Sequence, residues 1–198
     1  KKPPEAGVVA WFRRLCDAAV PPGSRVLLYH IPQTTGVPIS DGVLDALLAS
    51  HGEVVYGLKD STGDAAQLAH FRAAYPQLAY YAGNDHRVGE GCAAGGAGSI
   101  TAGANVFPDL VKAVQEAAWR SAAADTADAQ TTLSEARRLL DSFPLQPATK
   151  AALTEVAGLP ETAVRPPQIE LTAEQRAELR AQLLARLPGW RPNRRPTA

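Results

Sequence analysis

Apolar residues fall along this chain in two rhythms. Short, nearly unbroken apolar runs alternate with longer stretches in which apolar positions recur every third or fourth residue, the spacing of one helix face. The short runs are Arg25–His30 (RVLLYH), Val54–Asp60 (VVYGLKD), Leu78–Asn84 (LAYYAGN) and Gly98–Gly103 (GSITAG). Each reads as a buried strand. A helix over roughly Glu5–Val20 precedes the first. The loop IPQTTGVPIS and a short helix from Asp41 to about Ser50, with Ser40 as N-cap, separate the first strand from the second. Asp64–Tyr75 has helical spacing with Leu68, Phe71 and Ala74 on one side, and a Gly/Ala-rich helix follows over about His86–Ala94. ANVFPDLVKAVQEAAW starts another helix, with Pro108 near its first turn.

Four strand–helix units in succession predict an α/β fold with a parallel sheet and helical crossovers. A closed β/α barrel needs eight strands, so the pattern fits either an open four-stranded sheet or half of a barrel. Beyond about Ala122 no further strand appears. Three helical stretches follow, near Asp125–Ser142, Ala148–Ala157 and Thr172–Leu187, the last opening on a capping box, Thr172-Ala-Glu-Gln175. The expected division is therefore a β/α part over 1–122 and a helical region over 123–198. The Pro/Arg-rich tail PGWRPNRRPTA is expected to fray.

Charge removes some function classes. Of 198 residues, 20 are Lys or Arg and 20 are Asp or Glu, so the net charge is zero. Such a balance gives no support for nucleic-acid or membrane-surface binding. No apolar run approaches a membrane span, and the start, KKPPEAGVVAW, lacks the apolar segment of a signal peptide. Cys16 and Cys92 have neither metal nor disulfide-framework spacing; both read as small core residues, and a reduced, cytoplasmic setting is expected. His51, His70 and His86 are scattered, and no metal site is predicted.

The candidate chemistry lies at the strand ends. Lys59 follows Val54–Leu58 without a break and precedes the turn Asp-Ser-Thr-Gly-Asp. Lysine is rarely buried unless paired or functional, and ligands collect at the C-terminal ends of parallel strands. One reading makes Lys59 a surface lysine paired with Asp60 or Asp64. The other makes it an amine in a dry pocket, able to form a Schiff base with a ketone or ketoacid. Tyr29 ends the preceding strand, so the two side chains can meet over one pocket. Its phenol is either a proton shuttle or a buried hydroxyl on a backbone carbonyl. His30, next to Tyr29, points to the opposite face and reads as structural. Gly83 and Gly98 flank strand ends, where glycine permits either a tight turn or close approach of a ligand, and Ile100 has a main chain that could face such a ligand.

Four segments, in order, carry a resemblance to a known family: YHIPQTTG (Tyr29–Gly36), GLKDSTGD (Gly57–Asp64), YYAGNDH (Tyr80–His86) and GAGSITAGANVFP (Gly96–Pro108). They are similar to the motifs of the dihydrodipicolinate synthase / N-acetylneuraminate lyase family of Schiff-base (class I) pyruvate aldolases. PATKAAL and VRPPQIELTAEQRAEL are similar to that family's C-terminal helices. The resemblance implies the C-terminal half of a (β/α)8 TIM barrel followed by a helical region. It implies that Lys59 forms the Schiff base, that Tyr29 relays protons, that backbone groups at Gly83 and Ile100 hold the ketoacid and that Thr35 lies beside the site. It implies pyruvate or another 2-oxo acid and an aldehyde as small-molecule partners, no cofactor, and a homo-oligomer for the full-length protein.

Two departures shape the expectation. The family's first strands, with their Gly-Thr-Thr-Gly-Glu type carboxylate loop, are absent, and no methionine occurs, even at position 1. The chain is thus expected to be the C-terminal part of a family member, roughly 100 residues short by the four absent βα units. Thr34 stands where dihydrodipicolinate synthases carry a carboxylate-binding arginine, and arginine is not replaceable in such a clamp. The Lys-Asp-Ser-x-Gly-Asp segment is closer to the 4-hydroxy-2-oxoglutarate aldolase branch. Dihydrodipicolinate synthase is the second expectation. The third is an inactive half-barrel whose exposed sheet edges invite pairing or aggregation.

Overall fold

The computed structural model describes residues 2–155 and 158–187. The four apolar runs become the strands β1 (Val26–His30), β2 (Val55–Asp60), β3 (Ala79–Ala82) and β4 (Gly98–Ser99). They pair in the order β1-β2-β3-β4, all parallel. The helices are α1 (Glu5–Ala19), α2 (Pro32–Thr35), α3 (Asp41–His51), α4 (Ala65–Ala74), α5 (Val88–Ala93), α6 (Gly103–Val106), α7 (Pro108–Trp119), α8 (Ala123–Asp141), α9 (Leu145–Glu155) and α10 (Ala173–Arg186). A 3₁₀ turn, Asp85–Arg87, leads into α5. The chain divides into two compact units, Lys1–Ile100 and Thr101–Ala198.

In the first unit the period of two decides which face is covered. Leu28, His30, Leu58, Asp60, Tyr80 and Ala82 are buried, whereas Leu27 and Tyr29, one step out of phase, are exposed. The covered face joins Val43, Leu44 and Leu47 of α3 and Leu68 and Phe71 of α4 in one apolar core. Local chemistry starts these helices where the sequence says. The Ser40 hydroxyl accepts from Val43 N at 3.3 Å, and the Asp64 carboxylate accepts from Ala66 N (2.9 Å) and Gln67 N (3.2 Å).

Some expectations change. IPQTTGVPIS is not all loop: Pro32 opens the four-residue α2 and Gly36, at φ 70°, ends it. Proline at the first helical position and glycine in the left-handed cap are the standard start and stop signals. Ala74 is exposed, and Tyr75 takes the buried place. The helix expected over His86–Ala94 is split into the 3₁₀ turn and α5. The fourth strand is only Gly98–Ser99, not Gly98–Gly103, because its partner β3 ends at Ala82. Ile100 N still donates to Ala82 O at 2.9 Å before the chain turns into α6.

The second unit has helices joined by turns and, among its described residues, no strand. Its core joins Val106 and Phe107 with Ala136, Leu139 and Leu140 of α8, Ala148 and Ala152 of α9, and Leu179 and Leu183 of α10. The capping box forms: Thr172 Oγ1 accepts from Gln175 N, and Gln175 Oε1 accepts from Thr172 N. The Pro/Arg-rich tail lies outside the described residues. Among those residues, no helix is long and apolar enough to cross a membrane.

Candidate active site

Strand register brings the two leading residues together. Tyr29 pairs with Lys59 across β1 and β2, so both side chains project from the open face of the sheet. Lys59 Nζ lies 3.9 Å from the centroid of the Tyr29 ring. The ring is 48% exposed, so Tyr29 is not a buried tyrosine holding a backbone carbonyl. Nor is Lys59 tied to Asp60. That carboxylate points to the helix face, where it accepts from Thr62 N (2.8 Å), Thr62 Oγ1 (2.9 Å) and the Tyr80 hydroxyl (2.8 Å).

Ser61 completes the group. Its hydroxyl reaches toward Gly83 O at 3.2 Å and toward the Tyr29 hydroxyl at 3.4 Å. Partial burial pushes the Tyr29 phenol up, but hydrogen bonding from Ser61 and Lys59 and the Lys59 charge outweigh it, and the phenol lies below its ordinary value. A phenol held this way gives up its proton more readily than a free tyrosine.

The other predicted residues sit around this pair with differing freedom. Thr35 closes α2: its hydroxyl bonds Ile31 O and Val37 O, both at 3.1 Å, and accepts from Val37 N. It shapes the loop and, with Tyr29, Leu27 and Trp11, lines an apolar groove of about 650 Å³ beside β1. Gly83 N donates to Asp60 O at 2.6 Å. A Cβ on Gly83 would stand 2.1 Å from Ser61 Oγ and 2.7 Å from Asp60 O, so only glycine lets β3 approach the end of β2 here. Ile100 has spent its N–H on the sheet, which leaves its carbonyl as the main-chain group for a ligand; its side chain is 41% exposed. Thr34 is exposed at the tip of α2, and no arginine takes its place in that helix. Gln33 Nε2 ties the helix to Ser61 O at 2.8 Å.

Sequence reading missed Ser61, Tyr56 and Tyr81. Ser61 lies two residues past Lys59, in the same phase of the alternation, and that was the available signal. Tyr81 pairs with Lys59 across β2 and β3. Tyr56 sits at an irregularity between β1 and β2, where Val26 faces Val55 but Leu27 faces Gly57. A bulge of this kind re-aims a side chain, and no residue pattern announces it. Tyr56 packs under Arg25, whose guanidinium carbon lies 4.1 Å from the ring centroid, and stands close enough to Tyr81 to act on its phenol.

Comparison with known proteins fits this geometry. The model of the dihydrodipicolinate synthetase family matches residues 1–186. An uncharacterized DapA-like lyase from Chloroflexus aurantiacus is 48% identical over 177 residues, which is 89% of this chain and 58% of that protein. A 4-hydroxy-tetrahydrodipicolinate synthase from Acidothermus cellulolyticus is 36% identical over 89% of this chain and 55% of its own length. The crystal structure of YagE, an E. coli K12 prophage protein of the dihydrodipicolinic acid synthase family in complex with pyruvate, superposes with a TM-score of 0.81 at 24% identity, covering 93% of this chain and 62% of that one. The chain thus spans somewhat over half the length of the curated relatives it matches, and its four strands and following helices are the C-terminal portion of a (β/α)8 barrel fold. With the family model matched from residue 1 to residue 186, the chain belongs to the dihydrodipicolinate synthetase family.

Proposed function

We propose that this chain carries the Schiff-base centre of a class I aldolase or lyase acting on a 2-oxo acid, with pyruvate as substrate or product. The observation that carries the reading is the Lys59 amine, 3.9 Å from the Tyr29 ring at the C-terminal ends of adjacent parallel strands. In this reading Lys59 Nζ adds to the C2 carbonyl of the 2-oxo acid. The carbinolamine loses water, with Tyr29 giving and then taking the proton. The imine draws in the electron pair of the C3–C4 bond as the C4 hydroxyl gives up its proton, so that bond breaks to release an aldehyde and an enamine, which is protonated at C3 and hydrolysed to pyruvate and the free amine; the reverse sequence forms the bond. The Gly83 and Ile100 main chain and Thr35 contribute to the ketoacid pocket. YagE, of similar fold, is a pyruvate complex, which supports that ligand here.

Among 2-oxo acids, a 4-hydroxy-2-oxoglutarate-like substrate is favoured. Thr34 replaces the carboxylate clamp of dihydrodipicolinate synthases, and Lys59-Asp60-Ser61 brings a hydroxyl to the site. The 36% identity to a 4-hydroxy-tetrahydrodipicolinate synthase supports that enzyme as the second reading. The proposal extends to a half-barrel over 1–122, a helical region over 123–198 and a homo-oligomeric full-length protein.

The test is reductive trapping. This chain and its complete gene product are incubated with pyruvate and borohydride, and modified lysines are mapped by mass spectrometry. The expected result is an adduct on Lys59 that is lost in Lys59→Ala. An adduct on another lysine, or none on the complete product, overturns the reading.

A further inference from the structure

Lys59 has an aromatic neighbour on each side. Tyr29 flanks it from β1 and Tyr81 from β3, both at its own register and therefore on its own face. Neighbouring strands lie about 4.8 Å apart, so the two rings bracket the lysine stem. Tyr81 differs from Tyr29 in how it is held. It is half-buried, and the Tyr56 side chain lies near it. Tyr56 lies three residues before Lys59 on β2 and is fixed under Arg25. Register alone sets Tyr81 beside Lys59 on the open face. On its far side Tyr81 faces Gly98 of β4, which has no side chain to compete for the space.

We infer that Tyr81 is a positioning residue that fills the side of Lys59 away from Tyr29 and holds its amine over the Tyr29 ring. The inference rests on the Schiff-base reading above. Tyr81 is not a second proton shuttle. Burial, followed by the hydrogen bond and electrostatic effect of Tyr56, pushes its phenol up, opposite to the shift at Tyr29. Its contribution is geometric: without the ring, the four-carbon stem of Lys59 regains rotamers that point the amine down the open face. Displacements of about 1 Å in such a constellation cost up to about 10²-fold in rate.

The test compares Tyr81→Leu, Tyr81→Phe and Tyr56→Phe with the unsubstituted complete gene product, using the rate of borohydride trapping with pyruvate, kcat and KM, and thermal melting. Tyr81→Leu is expected to slow trapping and kcat about tenfold, with KM changed less than about twofold, as expected for lost orientation rather than lost binding. Tyr81→Phe keeps the ring and should restore most of the rate. Tyr56 is near enough to act on the Tyr81 phenol, so the effects of Tyr81→Phe and Tyr56→Phe should not simply add. A Tyr81→Leu protein that melts lower but traps pyruvate at the unsubstituted rate overturns the inference, because the ring would then be packing alone. Equal loss in Tyr81→Leu and Tyr81→Phe overturns it too, by moving the effect to the hydroxyl. If the unsubstituted protein traps nothing on Lys59, the Schiff-base reading fails and this inference falls with it; trapping on Lys59 with indifferent Tyr81 variants sinks the inference alone.

Discussion

Tyr29 and His30 are consecutive, as are Lys59 and Asp60, yet the two members of each pair lead opposite lives. His30 and Asp60 face the helices and are nearly sealed, at 2% and 6% exposure. Each is held in place: His30 Nδ1 accepts from Ile39 N at 3.1 Å, and Asp60 accepts from Thr62 and Tyr80. Tyr29 and Lys59 face the open side. There the contacts are looser, a 3.4 Å approach from Ser61 and a ring–amine contact. A buried polar group that has all its partners fixes a structure; one that keeps a lone pair or a proton in reserve can act on a ligand. The strand alternation sorts the two kinds within a single pair of strands.

The largest expected effect separates the faces by activity. Tyr29→Phe removes the phenol and leaves the exposed ring. In the complete gene product it should lower kcat by about 10²–10⁴-fold, the usual worth of a positioned acid–base group. Stability should stay within about 0.5 kcal/mol, as for surface changes. Steady-state rates beside a denaturant melt decide it; a protein that unfolds early but keeps its rate per folded molecule would break the comparison.

Stability should sort the faces in the reverse sense. Leu58 is 1% exposed in the core, whereas Leu27, on the open face beside the apolar groove, is 37% exposed. In this 198-residue chain, Leu58→Ala should cost about 2–5 kcal/mol through lost burial and the cavity left behind. Leu27→Ala should cost less than about 1 kcal/mol, because much of its surface is already in water. Urea midpoints of the two variants at equal slope measure the difference. Equal losses would mean that something covers the open face in solution, a second copy of the chain being one such cover.

How much of this was legible beforehand depends on the range of the interaction. β1 and β2 came within one residue of expectation because a buried parallel strand is an apolar run with clear ends. The placement of Lys59 beside Tyr29 followed from the strand ends and the family motifs. Ser40 as a helix cap and the box at Thr172 are local chemistry and were read directly. What stayed hidden depends on register. Tyr56 lies near Tyr81 beside the place where the ladder slips between Val26 and Leu27. The short β4 reflects where β3 stops, which nothing in GSITAG encodes. Ile100 looked free for a ligand, but its N–H was already committed across the sheet, to a residue 18 positions earlier.

The smallest expected effect concerns pH and tests the sealed face. Burial holds the His30 ring below its ordinary value of 6.5, and the nearby Asp60 charge offsets only part of that. The sign follows from proton counting. Between 6.5 and the lower folded value, the unfolded chain binds a proton at this ring and the folded chain does not, so stability rises with pH in that window. The contribution is complete above 6.5 and is lost as pH falls through the folded value. Other groups titrate in the same range, so the informative quantity is the difference from His30→Asn. An asparagine oxygen can still accept from Ile39 N, but it carries no titrating proton. The variant also gives up the edge-to-face contact with Phe71, at 5.7 Å between ring centroids, so its whole curve should sit lower. What identifies the buried ring is the slope: unfolding midpoints measured from pH 7.5 downward should converge for the two proteins below 6.5. Curves that stay parallel through that range would mean that His30 titrates in the folded chain as it does in water, and that the helix face of β1 is not sealed.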